Sequence, residues 1–484
     1  MINLKQTFCG ALIAATLGVQ AQTPAKELAK TPILELERGQ SIDIHNNYTI
    51  VGSKFGYNIN GRAMLFNGEQ YVRTYSTSTS NEYDGLGNPK TVAIGQHAIV
   101  MGAPHTQKVG VSKKTWDGSH YDTQITQYLY QGSSVTGTQF GEAVAISDNW
   151  IAVGASRYNT EGGVKMFFRN SSNGVWEDKG WLPLPNFENA PFRYGMYNWK
   201  NDAWFGSDVD IMHNNLIVGA PGVGSFYVYK MENNNWVLAS EYQGNLRVGS
   251  SVSISDEHAV AASSGRDIAV YKKHWDNTWY SYQEILDVGD AQIKEIAIDQ
   301  NRLVVGLPYD LNGHGEVKYF ELRSHPIPNS WNWVYDFVEV GSMPVSVSAS
   351  TNGLQEIRLH GFSVACHNGN VVAGAPNLYY ENNADGGAFK SSFYNMTPVS
   401  NNNTRIAAEE SIETASLSMF PNPANDVLTA SSEVLSATAV SLTGIEAPLS
   451  FSGQQIDVSE LTAGVYQFNV VTADGLISQA ITVE

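Results

Sequence analysis

Few residues in this sequence stand at spacings that could do chemistry, and the most suggestive run is Asp310-Leu311-Asn312-Gly313-His314-Gly315-Glu316. Asp310, Asn312, His314 and Glu316 offer donor atoms at alternate positions, with glycines where a loop must bend tightly. A hard cation such as calcium takes its oxygen ligands from loops of this general kind. The commoner reading of the same residues is an Asn-Gly turn between two strands. Calcium is therefore the one ion, and the one cofactor, for which the sequence makes a case.

Other chemistry is thinly represented. There is no Gly-x-Ser-x-Gly elbow, no His-Glu-x-x-His pair and no glycine-rich phosphate loop ahead of a helix. The 11 histidines, among them His105, His120, His213, His258, His360 and His367, are scattered in the manner of turn and strand-edge residues. Of the two cysteines, Cys9 lies in a leader, so Cys366 has no partner for an intramolecular disulfide. It alternates with Phe362 and Val364, which marks a small core thiol and not a nucleophile. One polar insertion is rich in rings: Trp181, Phe187, Phe192, Tyr194, Tyr197, Trp199 and Trp204. Aromatic faces suit the apolar faces of sugars, and this run is the candidate contact surface for a glycan or protein, or else a cap on a strand edge.

The elements that must carry these residues are repeats. Phe205-Gly206 is followed by Val209 and Ile211, a turn at His213-Asn214, a second apolar run, and Gly219-Ala220-Pro221, with fourteen positions from Phe205 to Gly219. The spacing recurs from Phe140-Gly141 to Gly154-Ala155-Ser156 and from Val248-Gly249 to Ala262-Ser263-Ser264. Weaker copies precede Gly52, Gly102, Gly306 and Gly374, which makes seven units. Within each, Val209 and Ile211 or their counterparts Val144 and Ile146 alternate at period two, as one face of a strand requires. A strand rich in aromatics and a strand bearing Trp176, Trp236, Trp279 or Trp333 follow, giving four strands per unit, the composition of a propeller blade. At 11% aromatic residues, 44 glycines and 16% charged residues, composition agrees with an all-β chain of short strands and tight turns.

The formal net charge of -18 argues against a nucleic-acid partner, because that affinity depends on Lys and Arg displacing counterions. Lys5, the apolar run from Ala11 to Val19 and the small-residue site Val19-Gln20-Ala21 read as an export leader over residues 1–21. No later stretch is apolar enough for a transmembrane segment. From Ile406 onward there is neither Lys nor Arg, and short regular strand signals suggest a small immunoglobulin-like β-sandwich over 416–484, joined by a polar linker at 398–415.

The propeller units, over 33–397, resemble the FG-GAP repeats of integrin-α-like proteins, whose members carry Phe-Gly, a hairpin, Gly-Ala-Pro, an aromatic strand and a Trp strand. The resemblance implies a seven-bladed β-propeller. Integrin-type blades often hold calcium in an Asp-rich link between the first two strands, but here that link is a short turn such as Ser147-Asp148-Asn149-Trp150, so those sites are not carried over. The C-terminal segment resembles the type A sorting domain of the type IX secretion system of Bacteroidetes. The residues that carry this likeness are Pro421, Asn422 and Pro423, Gly444 in Leu442-Thr443-Gly444, and Gly464 and Tyr466 in Ala463-Gly464-Val465-Tyr466. It implies recognition by the outer-membrane translocon and delivery to the outer surface or the medium. Two functional classes remain: a non-catalytic binding or adhesion module for glycan or protein, and a hydrolase or lyase with its site at the propeller funnel.

Overall fold

The computed structural model describes residues 25–29, 36–55, 60–77, 84–115, 120–132, 135–187, 203–243, 248–263, 265–285, 288, 292–310, 314–326, 333–343, 359–376, 387–392, 397–398, 419–420, 424–430, 433–441, 446–459, 461–472 and 475–483. The expected leader at 1–21 lies outside them. Two compact units are present, one spanning Gln22–Ser400 and the other containing Asn401–Glu484.

The first unit is a ring of seven antiparallel sheets, each built from four consecutive strands or completed from elsewhere in the chain. The innermost strands are Leu36–His45, Val92–Ile94, Val144–Ser147, Val209–Met212, Ser251–Ile254, Glu295–Asp299 and Ser363–His367. Each packs against the next, and the last packs against the first, so the ring closes. We number the blades 1 to 7 in this order. First-to-second and third-to-fourth hairpins turn on one side of the ring, the hairpin face; the second-to-third loops and the links between blades lie on the other, the loop face.

Closure comes from the N-terminus. Lys26–Glu27 pairs with Lys390 and Phe389 as the outer strand of blade 7. Leu28 N–H donates to the Ala388 carbonyl and Ala29 N–H to the Glu69 carbonyl, both at 2.9 Å, tying the segment to blades 7 and 1. Leu28 is buried among Ile42, Val51, Met64 and Val372. Blade 6 gains a fifth strand, Thr397–Pro398, alongside Gly341 and Ser342.

The apolar residues that alternate along the strands do not form one central core. They form seven, one in each gap between neighbouring blades. Ile50, Leu65, Val92 and Met101 meet between blades 1 and 2, and Ile217, Phe226, Val252 and Tyr271 between blades 4 and 5. The repeated glycines set how closely the blades approach. A Cβ added to Gly102 of blade 2 would lie 1.9 Å from the carbonyl oxygen of Gly141 in blade 3, and Gly141 itself has φ +93°, a left-handed value that favours glycine. The same contact recurs between Gly154 and Gly206, Gly219 and Gly249, Gly306 and Gly361, and Gly374 and Gly39. Blade 5 carries Ala262 at this place, and the blade after it has Ile293 in place of the glycine.

The second unit contains two four-stranded sheets. One includes Met419–Phe420, Val427–Ala430, Gln455–Asp457 and Phe451–Ser452; the other includes Glu446–Pro448, Val434–Ser441, Gly464–Thr472 and Gly475–Val483. Leu428 and Ile456 of the first share one apolar core with Ala439, Phe468, Val470 and Ile481 of the second.

Candidate functional site

The channel at the centre of the ring is where side chains from all seven blades converge. It encloses about 420 Å³ and is lined by the inner strands and their hairpin turns. The middle residue of each inner strand is Asp43, Ala93, Ala145, Asp210, Ser253, Ala297 or Ala365. Small side chains suit a narrow ring, and the three polar ones have a structural task.

An inner strand is the free edge of its sheet, and unpaired edge N–H groups need partners. At three seams side chains of the preceding blade supply them. Asp43 Oδ2 accepts from Ile94 N at 2.7 Å, and Ser41 Oγ from Val92 N at 3.2 Å. Asp210 Oδ2 accepts from Ile254 N at 2.9 Å and from Ser253 Oγ at 2.7 Å, while Asp208 Oδ2 accepts from Val252 N at 2.7 Å. Ser251 and Ser253 accept in turn from Ile296 N and Ile298 N, each at 3.1 Å. Burial nevertheless lifts Asp43 to about 7 and Asp210 to about 6, because these backbone donors only partly offset the loss of water.

Toward the loop face the channel is crossed by a charge pair. Lys90 of blade 2 places Nζ 2.8 Å from Asp208 Oδ2 of blade 4 and also donates to the Ser250 carbonyl. Burial raises Asp208 despite this lysine, and it raises Glu295 of blade 6 to about 8. On the hairpin face, His213 Nδ1 lies 2.7 Å from Asp256 Oδ1, and this bond raises the imidazole above its ordinary value. His45 and His367 lie with ring centroids 4.6 Å apart, and burial lowers His45 to about 4. Cys366 packs beside the core between blades 6 and 7, and burial pushes its thiol well up, which keeps it a thiol.

Of the aromatic run, Trp181 and Trp204 are described, whereas Phe192, Tyr194, Tyr197 and Trp199 lie outside the described residues. Trp181 stacks on Tyr158 at 3.9 Å, with Lys165 Nζ 5.4 Å from the Trp181 ring. Phe187 is buried in the core between blades 3 and 4, against Phe205 and Tyr227. Trp275, at a blade 5 hairpin tip, is 87% exposed.

At the candidate calcium loop, Asn312 lies outside the described residues. Gly315 N–H donates to the Asp310 carbonyl at 3.1 Å, so the loop closes on itself, and the His314 carbonyl accepts from His360 N–H. Burial raises Glu316. Among the described residues, no three His, Cys, Asp or Glu side chains cluster as a metal would require. In the C-terminal unit, Gly464 opens a strand and Tyr466 Oη donates to the Thr462 carbonyl at 2.9 Å. Pro421, Asn422, Pro423 and Gly444 lie outside the described residues.

The channel residues were not singled out by sequence reasoning. The signal was the residue between the two alternating apolar positions, Asp43 or Asp210, which reads as an ordinary polar strand residue until neighbouring blades are set side by side.

Residues 418–484 match the family described as "Secretion system C-terminal sorting domain". The C-terminal domain is thus a sorting domain of the type IX system, which takes the protein to the cell surface or the extracellular space. No curated protein matches the chain. Among solved structures, the crystal structure of the computationally designed Ika8 protein is similar over 76% of this chain and 98% of its own, at 14% identity and a TM-score of 0.43. Among the described residues no helix is long and apolar enough to cross a membrane.

Proposed function

We propose that this is an exported, non-catalytic binding module: an FG-GAP-type propeller that holds a glycan or a protein outside the cell. The observation that carries the reading is the commitment of three of the channel carboxylates. Asp43, Asp208 and Asp210 each accept backbone N–H groups of the blade that follows, so they serve the seams between blades. A hydrolytic site needs an acid and a base held against substrate, not against the fold. Binding falls to the exposed surface, with the aromatic run containing Trp181, Phe192, Tyr194, Tyr197, Trp199 and Trp204 as the contact region. The Asp310 loop, with Asn312, His314 and Glu316, would be a site for calcium only if ligand binding responds to the ion.

One observation favours the alternative, a hydrolase or lyase: Glu295, held protonated to about pH 8 beside the Lys90–Asp208 pair, has the protonation state of a general acid. The test is an array of glycans and matrix proteins probed with the mature protein, with and without calcium, followed by inspection of the bound ligands for cleavage. Saturable binding without turnover is the expected result. Turnover that disappears in Glu295→Gln would establish the enzyme instead.

A further inference from the structure

The third-to-fourth hairpin of blade 5 carries an exposed aromatic ledge. Trp275 at its tip is 87% exposed, whereas the next most exposed large apolar residue described, Tyr130, reaches 57%. The turn beneath Trp275 is braced. His274 N–H donates to the Thr278 carbonyl at 2.7 Å and Asn277 N–H to the His274 carbonyl at 2.9 Å, with Asn277 in the left-handed region at φ +63°. Asp276 Oδ1 accepts from Thr278 N at 2.9 Å and from Thr278 Oγ1 at 2.6 Å, and it lies 3.2 Å from His274 Nδ1. The Thr278 hydroxyl, then its N–H, hold the Asp276 carboxyl well below the usual carboxylate range, so it stays ionised.

The imidazole that Asp276 orients backs the rings. His274 lies 5.3 Å from the Trp275 ring and 6.1 Å, edge-on, from Tyr280, and Tyr280 lies 6.3 Å from Tyr282. Tyr282 packs against the core between blades 5 and 6 and donates its hydroxyl to the Tyr335 carbonyl of blade 6. Gln283 exchanges two bonds with the Phe337 backbone, at 2.6 and 3.0 Å, so the outer strands of the two blades are fixed side by side. Tyr280 is 42% exposed and Tyr335 52%. A ring surface held in place before a ligand arrives spares the ligand the cost of ordering it.

We infer that this ledge is a binding site for a neutral glycan, whose sugar faces stack on Trp275 and Tyr280 while a hydroxyl donates to Asp276. This deepens the non-catalytic binding reading and rests on it, adding a second contact region to the aromatic run that contains Trp181 and Trp204. Every exposed large apolar residue described in blades 5 and 6 is aromatic, and rings with polar edges suit the C–H faces and hydroxyls of a sugar. Size argues against a protein partner: Trp275, Tyr280 and Tyr335 together expose roughly 400 Å², about half of the ~800 Å² that each side gives to a stable interface. Charge argues against a polyanion, which a protein of net charge -18 would repel.

The full mature chain should be run in affinity electrophoresis through gels containing hydroxyethyl cellulose, galactomannan or polygalacturonate, beside a gel without polymer. The expected result is retardation by one or both neutral polymers, undiminished as salt rises. Trp275→Ala should bind about 10-fold more weakly, and Trp275→Tyr, which keeps a ring, within about 3-fold of the parent. Both should melt as the parent does, because the side chain is exposed. Tyr130→Ala, which removes an exposed ring of blade 2, should change nothing. Full binding by Trp275→Ala, or retardation by polygalacturonate alone, would overturn the inference and leave the broader binding reading standing. Retardation by neither neutral polymer, with retention on immobilised gelatin that Trp275→Ala abolishes, would make the ledge a protein-docking site and overturn the glycan. Cleavage of any polymer would remove the binding reading as well.

Discussion

Lys90 and Asp208 meet at 2.8 Å across the channel, joining blade 2 to blade 4 without passing through blade 3. Such a pair is costly to break from one side, because the surviving charge stays buried. Lys90→Met is expected to destabilise the propeller by about 3 kcal/mol at pH 8. The loss should shrink as the pH falls, because Asp208, already raised by burial, takes up a proton more readily once the lysine is gone. Urea titrations of Lys90→Met, Asp208→Asn and the double variant measure this, and additive single effects would refute a coupled pair.

The glycine contacts predict an ordering. Gly219→Ala would put a Cβ 2.1 Å from the Gly249 carbonyl oxygen, so backbone must move, at a cost of about 3 kcal/mol. Ala262→Gly, at the equivalent place in blade 5, loses one buried methyl and some chain stiffness, roughly 1 to 2 kcal/mol. Thermal melts that rank the two the other way would contradict the assigned packing.

Acid sensitivity should have a named source. His360 is 3% exposed, its ring nitrogens have no hydrogen-bond partner among the described residues, and burial lowers it to about 4. The unfolded chain takes up this proton near pH 6.5 and the folded chain only near 4, so stability falls across that window, by about 3 kcal/mol in full. Asp43 and Glu295 act oppositely: raised to about 7 and about 8, they gain protons in the fold first, which favours the folded state as pH drops from 8. His360→Phe should therefore lose less stability than the parent between pH 6.5 and 4. Equal losses would show that another group governs the acid limb.

Ring closure rests on few residues. Removing the chain through Ala29 exposes the edge of Gly387–Ser392, uncovers the apolar pocket of Leu28 and strips Glu27 and the Ala29 carbonyl from the buried Arg38. A loss of about 3 to 5 kcal/mol is expected, with blade 7 becoming the first site of proteolysis. A truncated protein that melts like the parent would mean that the ring closes by other contacts.

Export depends on the last domain. Deleting 418–484 should leave a folded propeller that no longer reaches the surface or the medium, as cell fractionation would report; undiminished export would assign the address elsewhere.

The propeller was legible because its glycines are. Gly102, Gly154 and Gly219 tolerate no side chain, so their spacing is fixed however much the intervening loops vary. The type IX address was likewise legible, from motifs in order within 416–484. The closing strand was not: Lys26–Glu27 is too short to show any periodicity. Nor were the channel caps, since Asp210 is recognisable as a cap only once Ile254 of another blade is beside it. Phe187 shows the opposite limit. It shares composition with its neighbours in the aromatic run, and only packing tells that it belongs to the core.

The caps also bear on how such a chain could have arisen and can be altered. Asp210 serves Ile254 and Ser253 serves Ile298, so each donor of a bond is encoded one repeat away from its acceptor. A duplicated or recombined segment that begins and ends at a blade boundary would separate those partners and leave a polar group facing the wrong neighbour. Segments exchanged with both ends between one first strand and the next would shuffle loops while inheriting the seams intact, and those are the chimeras expected to fold.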